Sequence, residues 1–163
     1  MKPKKLLPKV SALLNLRLAD EYHAHYTYQA ASNWCRNVGF EKAADYFKAE
    51  ADDELSHARL LQDFMVMWNV TPQLPVIDKP ELTYDNLVEV INAAYQMEVE
   101  LYEAYEKTSD EIFGLGDICA FDFLQQLRSI QTKSVGEYSD MINMLDGVVH
   151  DKFNLLLLED KLF

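Results

Sequence analysis

The chain has 163 residues, 49% of them hydrophobic and 26% charged, enough to bury a full core and short enough to form a single domain over 1–163. Its net charge of −12 repels phosphate backbones and anionic lipid surfaces, so neither nucleic acid nor membrane is an expected partner, whereas a shell that attracts metal cations would carry the same sign. Gly and Pro number only five each, which favours helix over strand and predicts an all-α fold.

The opening MKPKKLLPKVSALLNLRLA is basic, but Pro8, Lys9, Asn15 and Arg17 interrupt its apolar run, so a secretory leader is not expected. From about Val10 to Val38, Leu13, Leu14, Leu18, Tyr22, Tyr26 and Ala30 recur at three- and four-residue steps and predict a first helix that Gly39 ends. A second, from about Glu41 to Trp68, places Ala44, Phe47, Ala51, Leu55, Ala58, Leu61 and Met65 in the same rhythm. With almost nothing between them, the two should pack antiparallel. The stretch NVTPQLPVIDKPELTYDN, with Pro72, Pro75 and Pro80, is too rigid for helix and long enough to travel the length of a bundle. Thr83 or Asp85 would cap a third helix running to about Asp110, and Gly114 with Gly116 would separate it from a fourth, Ile118 to Leu145. The tail HDKFNLLLLEDKLF forms a short fifth helix. The sum is a four-helix bundle with one long crossover and a short C-terminal helix. Cys35 and Cys119 lack metal-type spacing and are expected free and buried, in a reducing, cytoplasmic setting.

Glu54 and His57, in EADDELSHARLL, are three residues apart and share a helix face. Alone, the pair is a weak signal that reads first as a surface contact, and a metal site needs partners from other helices. The first helix offers Glu21 with Tyr28 seven residues on, in EYHAHYTY; the third offers Glu98 among Tyr95, Tyr102 and Tyr105; the fourth offers Gln131, which also reads as an ordinary exposed glutamine. Carboxylates pointed inward from three helices would be intolerable without cations. Carboxylate oxygens with one imidazole suit Fe(II), Mn(II) or Zn(II).

With Glu21 and Tyr28, Glu54 and His57 in ELSH, Glu98 in QMEVELY and Gln131 in SIQTK, the chain resembles a non-haem ferritin of the prokaryotic iron-storage type from about Leu13 to its last helix. Spacings of 33 residues from Glu21 to Glu54, 44 to Glu98 and 33 to Gln131 are far more specific than one E-x-x-H. The resemblance implies a ferritin-like bundle whose long crossover joins the second and third helices, and a diiron ferroxidase centre within each subunit. Glu21 and His57 would hold one iron, Glu54 would bridge, Glu98 would hold the second, Gln131 would sit beside the bound oxygen species, and Tyr28 would act behind the ligands. Two Fe(II) would be oxidised by dioxygen or hydrogen peroxide, and ferric mineral stored inside a homo-oligomeric shell of 24 subunits. The LLLL of residues 155–158 would meet its copies at four-fold axes, or else fold back onto its own bundle; Asp117 and Asp122 would line an iron uptake channel.

The departures are informative. Where many bacterial ferritins place carboxylates for a third iron, this chain has Asp53, Ile130, Lys133 and Ser134. Bacterioferritins use a second E-x-x-H and a methionine after the first Glu; Gln131 with Ser134, and Leu55, stand here, so haem is not expected. His25, four residues beyond Glu21, shares its face and could approach the metal pair, or be a core histidine with a hydrogen-bonded neighbour. The rival readings are a peroxide-scavenging diiron protein, which would need a second E-x-x-H, and a DNA-protecting mini-ferritin, whose ligands lie between subunits.

Overall fold

Long apolar stripes at helical spacing need partners on every inward face, and four such helices satisfy one another only as a bundle. The computed structural model describes residues 6–163; the basic opening MKPKK lies outside the described residues. Five helices follow in order: α1 Pro8–Val38, α2 Glu41–Met67, α3 Leu87–Gly114, α4 Ile118–Leu145 and α5 Lys152–Leu162, with no strand among the described residues. Among them, no helix is long and apolar enough to cross a membrane.

The short α1–α2 connection works because Gly39 takes the left-handed conformation, φ 92°, open to a residue without a Cβ, and returns its amide to the Arg36 carbonyl. Residues 69–86 then cross the length of the bundle without helix. The third helix begins later than the sequence suggests. Asn86, rather than Thr83 or Asp85, is its cap, accepting from the Glu89 amide at 3.0 Å while Glu89 Oε2 accepts from the Asp85 amide at 2.5 Å. Thr83 is already engaged, its amide and hydroxyl both donating to Glu81 Oε1 at 3.1 Å. At its far end α3 continues past Asp110 and takes in Gly114, leaving the turn to Gly116 at φ 74°.

The two cysteines part company. Both are free, but only Cys35 is buried; Cys119 lies in the first turn of α4, where Ala120 takes the inward position. The last helix does fold back onto its own bundle, through Leu155 and Leu162, while Leu157 is 61% and Phe153 70% exposed. Polar ties fix the docking: Lys152 Nζ donates to the Val38 carbonyl at 2.6 Å, and Glu159 accepts from the Ala43 amide at 3.1 Å, each satisfying a helix end.

Apolar burial is divided. One cluster joins Tyr28, Phe47, Ile91 and Tyr138 with α5; the other joins Leu18, Leu61, Tyr105 and Leu124 at the opposite end. Each fully buried leucine or phenylalanine contributes about 1.5–3 kcal/mol. Between the two clusters lies a layer of buried polar side chains.

Candidate metal centre

That layer is made by Glu21, Glu54, Glu98 and Gln131, one from each long helix, all buried. The helical period explains their inward aim: Leu14, Leu18 and Glu21 on α1, and Ala51, Glu54 and Ala58 on α2, follow one another on the buried stripe at three- and four-residue steps. Gln131 is not the exposed glutamine its residue type suggests; it is 1% exposed and follows Leu124 and Leu127 on the same stripe of α4.

Glu21, Glu54 and His57 each offer a ligand atom within 4.8 Å of the others. The Nδ1 of His57 stands 3.0 Å from Glu54 Oε2 and 3.5 Å from Glu21 Oε2. Glu98 approaches from α3, and the Tyr28 hydroxyl donates to its Oε1. Tyr105, which the sequence marks only as one of the tyrosines in the stripe around Glu98, does the same for Glu21: fully buried on α3, it donates to Glu21 Oε1. The signal that could have found it was its place seven residues beyond Glu98, the interval that separates Tyr28 from Glu21.

The electrostatics describe a buried layer short of positive charge. Burial, then the neighbouring charge of Glu21, hold the Glu54 carboxyl well above the usual carboxylate range. Burial also pushes Glu98 up to about 7, against the lowering effect of the Tyr28 hydrogen bond. Burial alone would lower His57, but hydrogen bonds and charge from Glu21 and Glu54 outweigh it and bring the imidazole to about 10. Glu50, half-buried beside this group, is raised to about 7 by burial and by Asp53 and Glu137. Glu50 opens the acidic cluster EADDELSHARLL but is given no role by the sequence; it precedes Glu54 by one turn. Burial keeps the phenols of Tyr28 and Tyr105 well above their ordinary value, so both remain donors.

Glu98 Oε2 and Gln131 Oε1 are buried in this layer with no hydrogen-bond partner, and Glu21 Oε2 has no well-aligned one, its nearest donor being the His57 Nδ1 at 3.5 Å. Leaving one buried acceptor unsatisfied costs about 1–3 kcal/mol, and more for a charged one. Oxygen-rich donors with one imidazole are what Fe(II), Mn(II) or Zn(II) accept, and a divalent cation would satisfy these atoms together.

His25 is engaged elsewhere: its Nδ1–H donates to the Ala51 carbonyl at 2.6 Å, tying α1 to α2. Asp53 is exposed, Ser134 returns its hydroxyl to the Ile130 carbonyl, and Lys133 pairs with Glu137 at 3.2 Å. Asp117 caps α4, accepting from the Ala120 amide at 3.1 Å, and Asp122 is exposed on the same helix.

A family model described as a ferritin-like domain matches residues 11–148. Among curated relatives, a probable bacterial non-heme ferritin-like protein of Haemophilus influenzae is 27% identical over 157 residues, which cover 96% of this chain and 95% of that one. A bacterial non-heme ferritin of Escherichia coli O6:H1 is 25% identical over 140 residues, with 86% and 85% covered. Among solved structures, an open pore ferritin from the hyperthermophilic archaeon Archaeoglobus fulgidus superposes with a TM-score of 0.91 at 20% identity, over 97% of each chain. At that identity the last likeness is one of fold.

Proposed function

This chain belongs to the ferritin family, and from that membership we propose that it stores iron and is a ferroxidase, taking two Fe(II) per subunit as substrate. The oxidant is dioxygen or hydrogen peroxide, and the ferric product is held as mineral inside a hollow shell of identical subunits, 24 in number, in the cytoplasm. Glu21 and His57 bind one ferrous ion, Glu98 the other, and Glu54 lies between them. Gln131 lends a buried amide beside the space where oxygen would enter.

The observation that carries this reading is the set of carboxylates from three helices, buried together, with Glu98 Oε2 lacking a hydrogen-bond partner and Glu21 Oε2 met only by His57 at 3.5 Å. A divalent cation is what such a layer lacks. Two Fe(II) supply two electrons, which with two protons convert dioxygen to hydrogen peroxide, or hydrogen peroxide to two waters. The protein binds and orients: the buried layer keeps bulk water away, Tyr28 and Tyr105 each hold one carboxylate oxygen, and His57 and Glu98 give up protons as metal enters. That Glu21, Glu54 and His57 come from one chain favours this over the DNA-protecting mini-ferritin, whose ligands lie between subunits.

The test is aerobic addition of two Fe(II) per subunit to wild type and to Glu54→Ala, following oxygen uptake and ferric absorbance. We expect rapid stoichiometric oxidation in wild type and a fall of about 100-fold in the variant, which loses the ligand common to both positions. Equal slow oxidation in the two would return the layer to a structural role.

A further inference from the structure

Tyr105 lies outside every motif that carries the iron reading, yet it is as deeply placed as Tyr28. On α1, Tyr28 follows Glu21 by seven residues; on α3, Tyr105 follows Glu98 by seven. Seven residues are close to two helical turns, so each helix sets a carboxylate and a phenol in one line. Contacts from Arg17 to Thr108, Tyr105 to Glu21 and Tyr28 to Glu98 advance along α1 as they retreat along α3, so the two helices run antiparallel. The phenol of each therefore falls opposite the carboxylate of the other. The result is a crossed pair about a local two-fold axis, with Tyr28 rising from one apolar cluster and Tyr105 from the other.

In both carboxylates Oε1 is taken by the phenol, while Oε2 of Glu98 is left buried without a hydrogen-bond partner and Oε2 of Glu21 faces only the His57 imidazole at 3.5 Å. A donor on one oxygen draws charge from it and stops the group rotating, so the other oxygen becomes the ligand. The phenol does this as a neutral group and leaves the carboxylate its full charge. We propose that Tyr105 is the positioning residue for Glu21, the counterpart of Tyr28 on Glu98, and that the crossed phenols decide which oxygen of each carboxylate meets the metal. This rests on the iron-binding reading above. The Tyr105 ring is itself held in place, since the Arg17 guanidinium lies 5.9 Å from its centroid and is fixed by Thr108 Oγ1 at 2.9 Å and Asp20 Oδ2 at 2.5 Å. Tyr28 is held instead by aromatic stacking, with Phe47 at 6.0 Å and Tyr138 at 6.3 Å between ring centroids.

A double-mutant cycle read by Co(II) separates this role from simple packing. Anaerobic Co(II) titrations would compare the full-length wild type, Tyr105→Phe, Glu21→Gln and the double variant, following affinity and the visible Co(II) bands. Phenylalanine keeps the ring and its packing, so helical content should be unchanged. Tyr105→Phe is expected to weaken Co(II) binding about tenfold, the scale set by losing an orienting hydrogen bond behind a ligand, and to alter the bands. It should add nothing once Glu21 is already Gln, whereas Tyr28→Phe, acting on Glu98, should add in full to Glu21→Gln. Unchanged affinity and bands in Tyr105→Phe, with wild type binding two Co(II), would overturn this role and leave the iron reading standing; so would a full tenfold loss on top of Glu21→Gln. Wild type that binds no Co(II) would overturn both.

Discussion

His57 and Glu98 make the metal-free centre a store of protons at neutral pH. The imidazole, brought to about 10 by Glu21 and Glu54, is charged at pH 7, and Glu98, raised to about 7 chiefly by burial, is about half protonated. A divalent metal must displace these protons, so its binding is linked to their release. Anaerobic Zn(II) addition in weak buffer should release protons from Glu98 and His57 at about pH 6, with the raised Glu54 carboxyl contributing, and should lose the Glu98 share by about pH 8, so that the release per subunit falls between the two. A release that does not change over that range would contradict the place given to Glu98. These residues also mark what could be read in advance. Glu54 and His57 announced themselves by spacing on one helix, and Glu21 and Glu98 by standing alone in apolar and aromatic stripes. Tyr105 did not, because its function depends on which helix it faces, and one helix's periodicity carries no information about its neighbour. Gln131 was ambiguous for the same reason: burial is set by the opposite wall, and only the assembled bundle supplies one.

Helix number, order and the long crossover were legible because apolar period, glycine breaks and clustered prolines are local signals. Helix ends were less so. Thr83, Asp85 and Asn86 are all good caps by type, and the choice fell to Asn86 because Glu81 had already taken the Thr83 amide and hydroxyl. The fifth helix shows the limit from another side. Its four leucines suggested one apolar surface, but the helical turn sends Leu155 inward and Leu157 outward, and the docking is fixed by the polar Lys152 and Glu159. Glu159 is buried and supplies an acceptor to the first turn of α2, where amides have no helical partner. Glu159→Ala should therefore speed hydrogen exchange at the Ala43 amide and loosen α5, at a cost of about 1–3 kcal/mol. Exchange at Ala43 equal to wild type would mean that the apolar contacts of Leu155 and Leu162 hold the helix by themselves.

The bundle as a whole encloses a layer of like charge between two apolar clusters, so its stability is tied to whatever fills that layer. A carboxyl near 7 in the folded state and about 4.3 unfolded binds its proton more tightly when folded, so its contribution is complete below about 4.3 and is lost as pH rises through about 7. His57 acts with the same sign over a higher window: its contribution is complete below about 6.5 and lost as pH rises through about 10. Glu54, raised well above its ordinary range, adds to the trend. The metal-free protein should thus melt at a higher temperature at about pH 6 than at about pH 9. Metal reverses the penalty. A ligand at 100 times its dissociation constant stabilises by about 2.7 kcal/mol, which in a chain of this length raises Tm by about 5–10 °C. Zn(II) should produce that rise in wild type and not in Glu54→Ala, whose metal-free form should melt no lower than metal-free wild type at pH 9, because it removes one of the repelling carboxylates. If metal-free Glu54→Ala instead melts well below wild type, the layer's carboxylates hold the bundle together through contacts of their own. Stability without metal would then be what Glu54 supplies, rather than an opening shaped for a cation.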